Sequence, residues 1–297
     1  MPTVICFANM KGGVGKTTLC VNLAFQLFTS NKNVLVIDND PQFNATSALV
    51  RPQLYIDKVI KGRDVFSIYN IYEKPPRLKG TKAPKLDPQK FFMTLWFIGE
   101  SEFVLDLIPS RIDLFETLRN PAQKEYLLDN FLQEHGGKYE YILIDCPPTP
   151  SVLTTSAFAA SDFVIIPITP DYYATMGLPQ FLGTLMDFKS DLPDRHNITP
   201  LGVVFTNVPR SNSPDTVKSM NRVTQALGKP VGKIHVFSSR MSQFKVYQKT
   251  LWQSLPVQEI TGRGTRGKTQ AVAELSHIAK ELGEEIQKKK RKDSNGK

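Results

Sequence analysis

The feature that most constrains the fold of this 297-residue chain is a series of short apolar segments rich in β-branched residues. Six such segments are typical of strands and lie at 3–8, 34–38, 103–108, 141–145, 163–168 and 202–206. Nearly all their residues are apolar, so both faces should be buried, as in a parallel sheet covered by helices. Stretches with helical periodicity lie between and after them, at 17–28, 114–134, 178–188, 214–227 and 269–287. This alternation predicts an α/β fold: a single doubly wound, mostly parallel sheet flanked by helices.

The domain organisation follows from where this alternation holds. We expect one domain over residues 1–287, with an insertion around 51–100. Within that insertion, residues 73–90 contain four prolines and six basic residues, which is typical of an exposed loop. The last ten residues, 288–297, are predicted to form a basic, flexible tail.

Composition excludes several classes of protein. The three cysteines and four histidines lack the spacing of a disulfide framework or a zinc site, so we expect neither. The N-terminal residues lack the basic region and cleavage site of a signal peptide, and no apolar segment is long enough to cross a bilayer. We therefore expect a cytoplasmic protein without a structural metal.

The formal net charge of +9 is concentrated in one part of the chain. Residues 200–270 hold 11 basic and 2 acidic side chains, which gives a net charge of +9. The charges of all other residues sum to zero. Contacts to phosphates require mainly positive charge and small hydrogen-bond donors. The distribution therefore favours an anionic partner, such as nucleic acid, for this segment.

A glycine-rich segment, KGGVGKTT at 11–18, lies between the first predicted strand and the first predicted helix. Its glycines allow backbone N–H groups to turn toward phosphates. Lys16 can neutralise phosphate oxygens, and the Thr17 hydroxyl can bind Mg²⁺. A second match to a phosphate-loop pattern, GRGTRGKT at 262–269, follows the polar segment LPVQEI rather than a core strand, so we interpret it as a chance match.

Three motifs in order along the chain carry a family resemblance. KGGVGKTT resembles the deviant Walker A box of the ParA/MinD family of ATPases. VLVIDNDPQFNAT, at 34–46, resembles the second box of that family, and YILIDCPPTPS, at 141–151, resembles its Walker B and switch region. The chain is thus identified as a member of this family, closest to the ParA-type DNA partition ATPases, which implies a P-loop NTPase fold and binding of ATP and Mg²⁺.

The resemblance also implies roles for individual residues. Two subunits of such proteins sandwich two ATP molecules, and Lys11 would reach the nucleotide of the partner. Lys16 would act on the phosphates, Asp40 on the attacking water, and Asp38 would shape the intervening loop. Mg²⁺ would be held by Thr17 and, through water, by Asp145. The nucleotide-binding residues implied in this way are Lys11, Gly12, Gly13, Val14, Gly15, Lys16, Thr17, Thr18 and Asn207, the last of these as the reader of adenine.

Members of the family differ in what they act on, and three functional classes are candidates for this chain. An electron donor of the nitrogenase iron-protein type would need cysteines placed to hold a [4Fe–4S] cluster, and these three are not. A MinD-like, membrane-associated positioning ATPase would need a terminal amphipathic helix with bulky apolar anchors and a cationic face. The helix predicted at 269–287 has neither, so we expect its apolar stripe to dock on the sheet. MinD-like function stays as the alternative.

The charge distribution favours the ParA-type class, in which an ATP-bound homodimer binds double-stranded DNA nonspecifically. FSSRMSQF, at 237–244, also resembles a DNA-binding segment of that family, with its arginine at Arg240. The resemblance further implies a ParB-like centromere-binding adaptor that stimulates hydrolysis and release, a nucleoid-associated location and no membrane. The predicted DNA-binding residues are Arg240, Lys245, Lys249, Arg263, Arg266 and Lys268.

Overall fold

A seven-stranded sheet forms the centre of the protein. The computed structural model describes residues 1–61, 64–73, 86–100, 102–191, 198–211, 213–227, 234–262 and 265–295. The strands in this part of the chain are β1 (Thr3–Phe7), β2 (Val34–Asp38), β3 (Met93–Ile98), β4 (Phe103–Ile108), β5 (Tyr141–Asp145), β6 (Phe163–Ile168) and β7 (Thr199–Phe205). Their order is β3-β4-β2-β5-β1-β6-β7. All neighbours are parallel except β3 and β4, which confirms the predicted mostly parallel sheet.

Helices cover both faces of this sheet. They are α1 (Lys16–Thr29), α2 (Asn44–Leu49), α3 (Pro52–Tyr55), α4 (Tyr69–Tyr72), α5 (Phe115–Arg119), α6 (Leu127–His135), α7 (Val152–Ala159), α8 (Tyr172–Asp191), α9 (Pro214–Leu227), α10 (Val246–Gln253) and α11 (Lys268–Asn295). A π-helical turn at Ile56–Lys61 and 3-10 turns at Pro88–Phe91, Ile112–Leu114 and Val257–Glu259 complete the described elements.

Alternate residues of each central strand point into two separate cores. In β1, Ile5 and Phe7 pack in a core with α1, α2 and α11, whereas Cys6 lies in the opposite core with α6, α7 and α8. All three side chains are fully buried. This double burial explains the continuous apolar sequence of the strands, because neither face of the sheet is left to water.

Two elements differ from the sequence-based expectations. The single helix expected at 114–134 is divided into α5 and α6, and the break follows Asn120, which has an extended φ of −131°. Pro121 accounts for the break, because proline disfavours a helical conformation in the residue before it. The stretch 51–100, interpreted as an insertion, contributes the antiparallel edge strand β3 to the sheet itself.

The last helix is longer than expected. Its stripe of Ala271, Leu275, Ile278, Leu282 and Ile286 is buried in the core that contains α1, which confirms the expected docking. The basic stretch expected to be a flexible tail from residue 288 instead continues α11 to Asn295. Lysine and arginine have high helix propensity and interact favourably with the C-terminal end of the helix dipole, which accounts for the extension.

Candidate functional site

The glycine-rich loop links β1 to α1 at the carboxyl edge of the sheet. Gly13 and Gly15 have φ values of 73° and 79°, a left-handed conformation that side chains with a β-carbon rarely adopt. A β-carbon at Gly12 or Gly13 would meet no atom within 4 Å, so the loop borders open space. Val14 belongs to the loop, and its side chain is buried. The loop and the N-terminus of α1 therefore form a cradle of the kind that binds phosphate.

Two side chains next to this cradle have oxygen atoms that could bind a metal ion. Thr17, in the first turn of α1 beside Thr18, donates its hydroxyl to Asp145 Oδ2 at 2.6 Å. Asp145 ends β5 and is fully buried, and its Oδ1 atom has no hydrogen-bond partner. Such oxygens suit Mg²⁺, which commonly takes one or two protein ligands, substrate phosphates and water. The described residues contain no group of three or more His, Cys, Asp or Glu side chains that could hold a metal ion.

Lys16 is the buried cation of this site, with 7% of its surface exposed. Its Nζ atom lies 3.3 Å from the carbonyl oxygen of Lys11. Burial lowers the pKa of Lys16, and the charge of Asp145 opposes that change. Burial also raises the pKa of Asp145 well above its ordinary value. The site thus holds charges that are poorly compensated by the protein alone, as is common where charged ligands bind.

The loop after β2 brings two further carboxylates to the site. Asp38 accepts hydrogen bonds from the backbone N and hydroxyl of Thr46 at 2.6 and 2.7 Å, so it shapes this loop as expected. Burial raises the pKa of Asp38 to about 7. Asp40 is 5% exposed, and its Oδ1 accepts from the backbone N of Gln42 at 2.9 Å. Burial raises its pKa, while the Gln42 hydrogen bond and Lys16 lower it.

Comparison with known proteins identifies the family. A family model described as an AAA domain matches residues 2–198. The chain is 34% identical over 215 residues to the chromosome partitioning protein ParA of Caulobacter vibrioides, and the match covers 71% of each protein. The chain belongs to the ParA/MinD family of deviant Walker A ATPases.

Other members of the family match at similar levels. The chromosome partitioning protein ParA of Myxococcus xanthus is 34% identical over 195 residues, which cover 64% of this chain and 61% of that protein, less than two thirds of its length. A plasmid partition protein of Borrelia burgdorferi B31, solved with bound AMPPNP, superposes with a TM-score of 0.68 at 25% identity. That superposition covers 97% of this chain and all of the other.

The signature lysine of the ParA/MinD family, Lys11, has a partner within the same chain. Its Nζ atom forms an ion pair with Asp171, which follows β6. The hydroxyl of Thr169 donates to the same carboxylate oxygen, and the backbone N of Ala174 donates to the other. The reach of Lys11 to a partner's nucleotide stays a prediction, while Asp171 is a contact that the sequence motifs did not indicate.

Asn207 lies beside the phosphate loop. It has a left-handed φ of 51°, and its side-chain amide donates to the carbonyl oxygen of Gly13 at 3.1 Å. The neighbouring Thr206 hydroxyl donates to the carbonyl oxygen of Val14 at 2.6 Å. The segment after β7 is therefore fixed to the loop that family members use for phosphates, and the reading of adenine by Asn207 stays a prediction.

Sequence reasoning missed a network behind Asp40. The Tyr72 hydroxyl at the end of α4 donates to Asn39 Oδ1 at 3.0 Å. The side-chain amide of Asn39 donates to the carbonyl oxygen of Leu153 in α7 at 2.8 Å. The backbone N of Asn39 donates to the carbonyl oxygen of Asp145 at 3.0 Å. The position of Asn39 between two motif aspartates indicates that it lies at the site. The sequence around Tyr72 contains no pattern that indicates a contact with the site.

One aromatic ring, that of Phe244, brings together chain segments that carry several basic residues. The Arg210 guanidinium lies over the Phe244 ring, 5.3 Å from its centre. A β-carbon at Gly267, which has a φ of +86°, would lie only 2.5 Å from that ring, so the backbone there packs directly on it. Lys245 follows Phe244, and Arg266 and Lys268 flank Gly267. We call this set the Phe244 cluster: Arg210, Lys245, Arg266 and Lys268.

The remaining predicted DNA-binding residues are more dispersed. Arg240 is half-buried, and its guanidinium contacts the sulfur of Met220 in α9. Lys249 lies on α10, four residues after Lys245 and hence on the same helix face. Arg263 lies outside the described residues. Within the Phe244 cluster, Lys268 donates to the carbonyl oxygen of Ile260 at 2.8 Å.

The second phosphate-loop pattern, at 262–269, has a different context from the first. It follows the 3-10 turn Val257–Glu259 rather than a strand of the sheet, as the sequence reasoning expected. The site described above is therefore the one with the strand, loop and helix that phosphate binding in this family requires.

Proposed function

We propose that this chain is an ATP-dependent DNA partition ATPase. One observation carries the proposal: a single segment joins the phosphate loop to the Phe244 cluster. Within residues 206–210, Thr206 and Asn207 bond to carbonyl oxygens of the loop, Val208 pairs with Ser242, and Arg210 lies on Phe244. A nucleotide that moves the loop would therefore act directly on the basic surface.

The nucleotide half of the proposal is hydrolysis of ATP to ADP and phosphate with slow intrinsic turnover. Lys16 and the backbone of the phosphate loop would hold the phosphates, with Thr17 and Asp145 positioned for Mg²⁺. Mg²⁺, when bound, supplies positive charge that stabilises the transferring phosphoryl group. Asp40 would orient the attacking water, since its loop lies against the site and its carboxylate is held by Gln42.

The proposal also includes ATP-dependent dimerisation, in which Lys11 has a role. In the proposed cycle, ATP brings two chains together, and Lys11 exchanges its ion pair with Asp171 for the phosphates of the partner's nucleotide. The dimer would bind double-stranded DNA through phosphate contacts, which carry no sequence information. A ParB-like adaptor at a centromere-like site would stimulate hydrolysis and release, which would place the protein on the nucleoid in the cytoplasm.

Gel retardation of random-sequence duplex DNA across a salt series tests the proposal. We expect binding with ATP and Mg²⁺, little binding with ADP or without nucleotide, and affinity that falls steeply with salt. Lys16→Ala should lose the ATP effect, because it removes the buried cation of the phosphate site. Equal binding in all nucleotide states, or no binding with ATP, would contradict the proposal.

The MinD-like alternative has less support. The apolar stripe of α11 is buried against the sheet, so it is not an exposed membrane-binding face. No helix in the described ranges is long and apolar enough to span a bilayer. Co-sedimentation with anionic vesicles in the presence of ATP is the direct comparison: vesicle binding without DNA binding would favour the alternative.

A further inference from the structure

The most exposed aromatic side chain in the described part of the protein is Trp252, near the end of α10. Its side chain is 88% exposed, and the adjacent Leu251 is 52% exposed. The opposite face of α10 is anchored by buried Val246 and Thr250. Together, Trp252 and Leu251 leave adjacent apolar side chains in water, and exposed apolar patches mark surfaces that bind partners.

The outward face of α10 combines this indole with positive charge. Lys245, Lys249 and Trp252 follow the spacing i, i+4, i+7, which places all three on one face of a helix. Lys245 is exposed and directly follows Phe244, so this face continues the Phe244 cluster. We call it the α10 face, made of Lys245, Gln248, Lys249 and Trp252.

Glu259 and Glu274 are acidic residues in the described part of the chain that lie near α10. Glu259, in the 3-10 turn after α10, is exposed, and Glu274 of α11 accepts hydrogen bonds from the backbone N and hydroxyl of Ser242 at 2.8 and 2.7 Å. Because residues 200–270, which include α10, hold 11 basic and 2 acidic side chains, this face favours an anionic partner. Nucleic acid fits this chemistry, because its phosphates match the lysines and its sugar and base surfaces match the indole.

We propose that the α10 face is part of the DNA interface, and that Trp252 makes a non-ionic contact with the duplex while Lys245 and Lys249 bind phosphates. This inference rests on the proposed function, because it names how the DNA surface is built. Apolar side chains can pack into the minor groove of a duplex, and this contact needs no base-specific hydrogen bond. A membrane is a weaker match, since α10 has only 8 residues and its outward face also carries Gln248.

Ionic and non-ionic contacts respond differently to salt. Each phosphate contact contributes about 0.9 to the slope of log K against log salt, because it releases counterions. A stacking or packing contact changes the affinity without changing that slope. The α10 face therefore predicts different effects for its lysines and its tryptophan in the same titration.

The experiment measures binding of fluorescein-labelled random-sequence duplex by anisotropy, with the full chain, ATP and Mg²⁺, at several salt concentrations. We expect Trp252→Ala to weaken binding about tenfold at every salt concentration, with an unchanged slope. Lys249→Ala should instead reduce the slope by about 1. Trp252→Phe should restore part of the affinity, because a smaller aromatic ring retains some of the contact.

Phe97→Ala is the matched control. Phe97 is 64% exposed, but it lies on β3 at the far edge of the sheet from β7, so its loss should leave DNA binding unchanged. If the wild-type chain fails to bind DNA with ATP, the proposed function itself is wrong. If the wild type binds DNA and Trp252→Ala matches it in affinity and slope, only the role of Trp252 is wrong. Loss of binding to phosphatidylglycerol vesicles in Trp252→Ala, with DNA binding intact, would also overturn the inference.

Discussion

The candidate nucleotide site concentrates acidic residues where water is largely excluded. Asp40 and Asp145 lie close to the buried Lys16, Asp38 lies close to both of these carboxyl groups, and burial raises the pKa of each of the three. This arrangement costs stability in the protein alone, because buried charges lose their hydration. The ligands of the proposed function explain this cost. Mg²⁺ would compensate the negative carboxylates, and the phosphates would compensate the positive Lys16.

The raised pKa of Asp145 predicts a pH-dependent stability. Its pKa is higher in the folded than in the unfolded chain, so the folded state keeps a proton that the unfolded state loses. Stability should therefore fall as pH rises above about 4, by at most about 1.4 kcal/mol per pH unit for one proton. Asp145→Asn should flatten this fall in nucleotide-free protein. Urea unfolding between pH 4 and pH 8 measures the effect.

The control for this prediction is Asp57→Asn, at an exposed position in the π-helical turn Ile56–Lys61. It should keep the wild-type dependence on pH. A wild-type profile in Asp145→Asn as well would mean that this carboxyl group does not titrate as burial requires.

At the scale of elements, the sequence predicted what depends on local patterns. Continuous apolar runs located the central strands, and the phosphate loop was found because its chemistry lies in eight consecutive residues. The strand Met93–Ile98 was missed because it lies at the sheet edge and is only partly buried. Contacts such as Tyr72 with Asn39, Lys11 with Asp171, and the Phe244 ring join distant parts of the chain, so no local pattern could predict them.

The helix α4 gives the stretch 51–100 a link to the site, and Tyr72→Phe tests how strong that link is. Tyr72 is 2% exposed, so loss of its hydroxyl would leave Asn39 Oδ1 buried without this donor. Such a loss costs about 1–3 kcal/mol. We expect Tyr72→Phe to lower the free energy of unfolding by that amount, as measured by urea denaturation.

Tyr69→Phe, in the same helix, is the matched control. Its hydroxyl donates to Glu116 Oε2 at 2.9 Å in an exposed position, where water can replace the bond. Its effect should stay within about 0.5 kcal/mol. Equal stability of the two variants would show that the Tyr72 hydrogen bond contributes little to holding the loop.

At the scale of the whole molecule, the nucleotide site and the basic surface are neighbours along β7 and its following segment. The charge that distinguishes residues 200–270 therefore comes close to the phosphate loop, because Arg210 lies on Phe244, the backbone of Gly267 between Arg266 and Lys268 packs on the same ring, and the segment before Arg210 contacts the loop. In the proposed cycle, this adjacency makes DNA binding depend on nucleotide state. A variant that binds ATP without hydrolysing it should then stay on DNA.

Asp40→Ala is that variant. It removes the carboxylate that would orient the attacking water but leaves Lys16, Thr17 and Asp145 in place, so ATP binding should persist. Loss of such a group typically slows turnover about 10²- to 10⁴-fold. The measurement is release of labelled duplex after free ATP is diluted: wild type should dissociate at its hydrolysis rate, whereas Asp40→Ala should remain bound far longer. Release and phosphate production at wild-type rates would assign the water-orienting role to another residue.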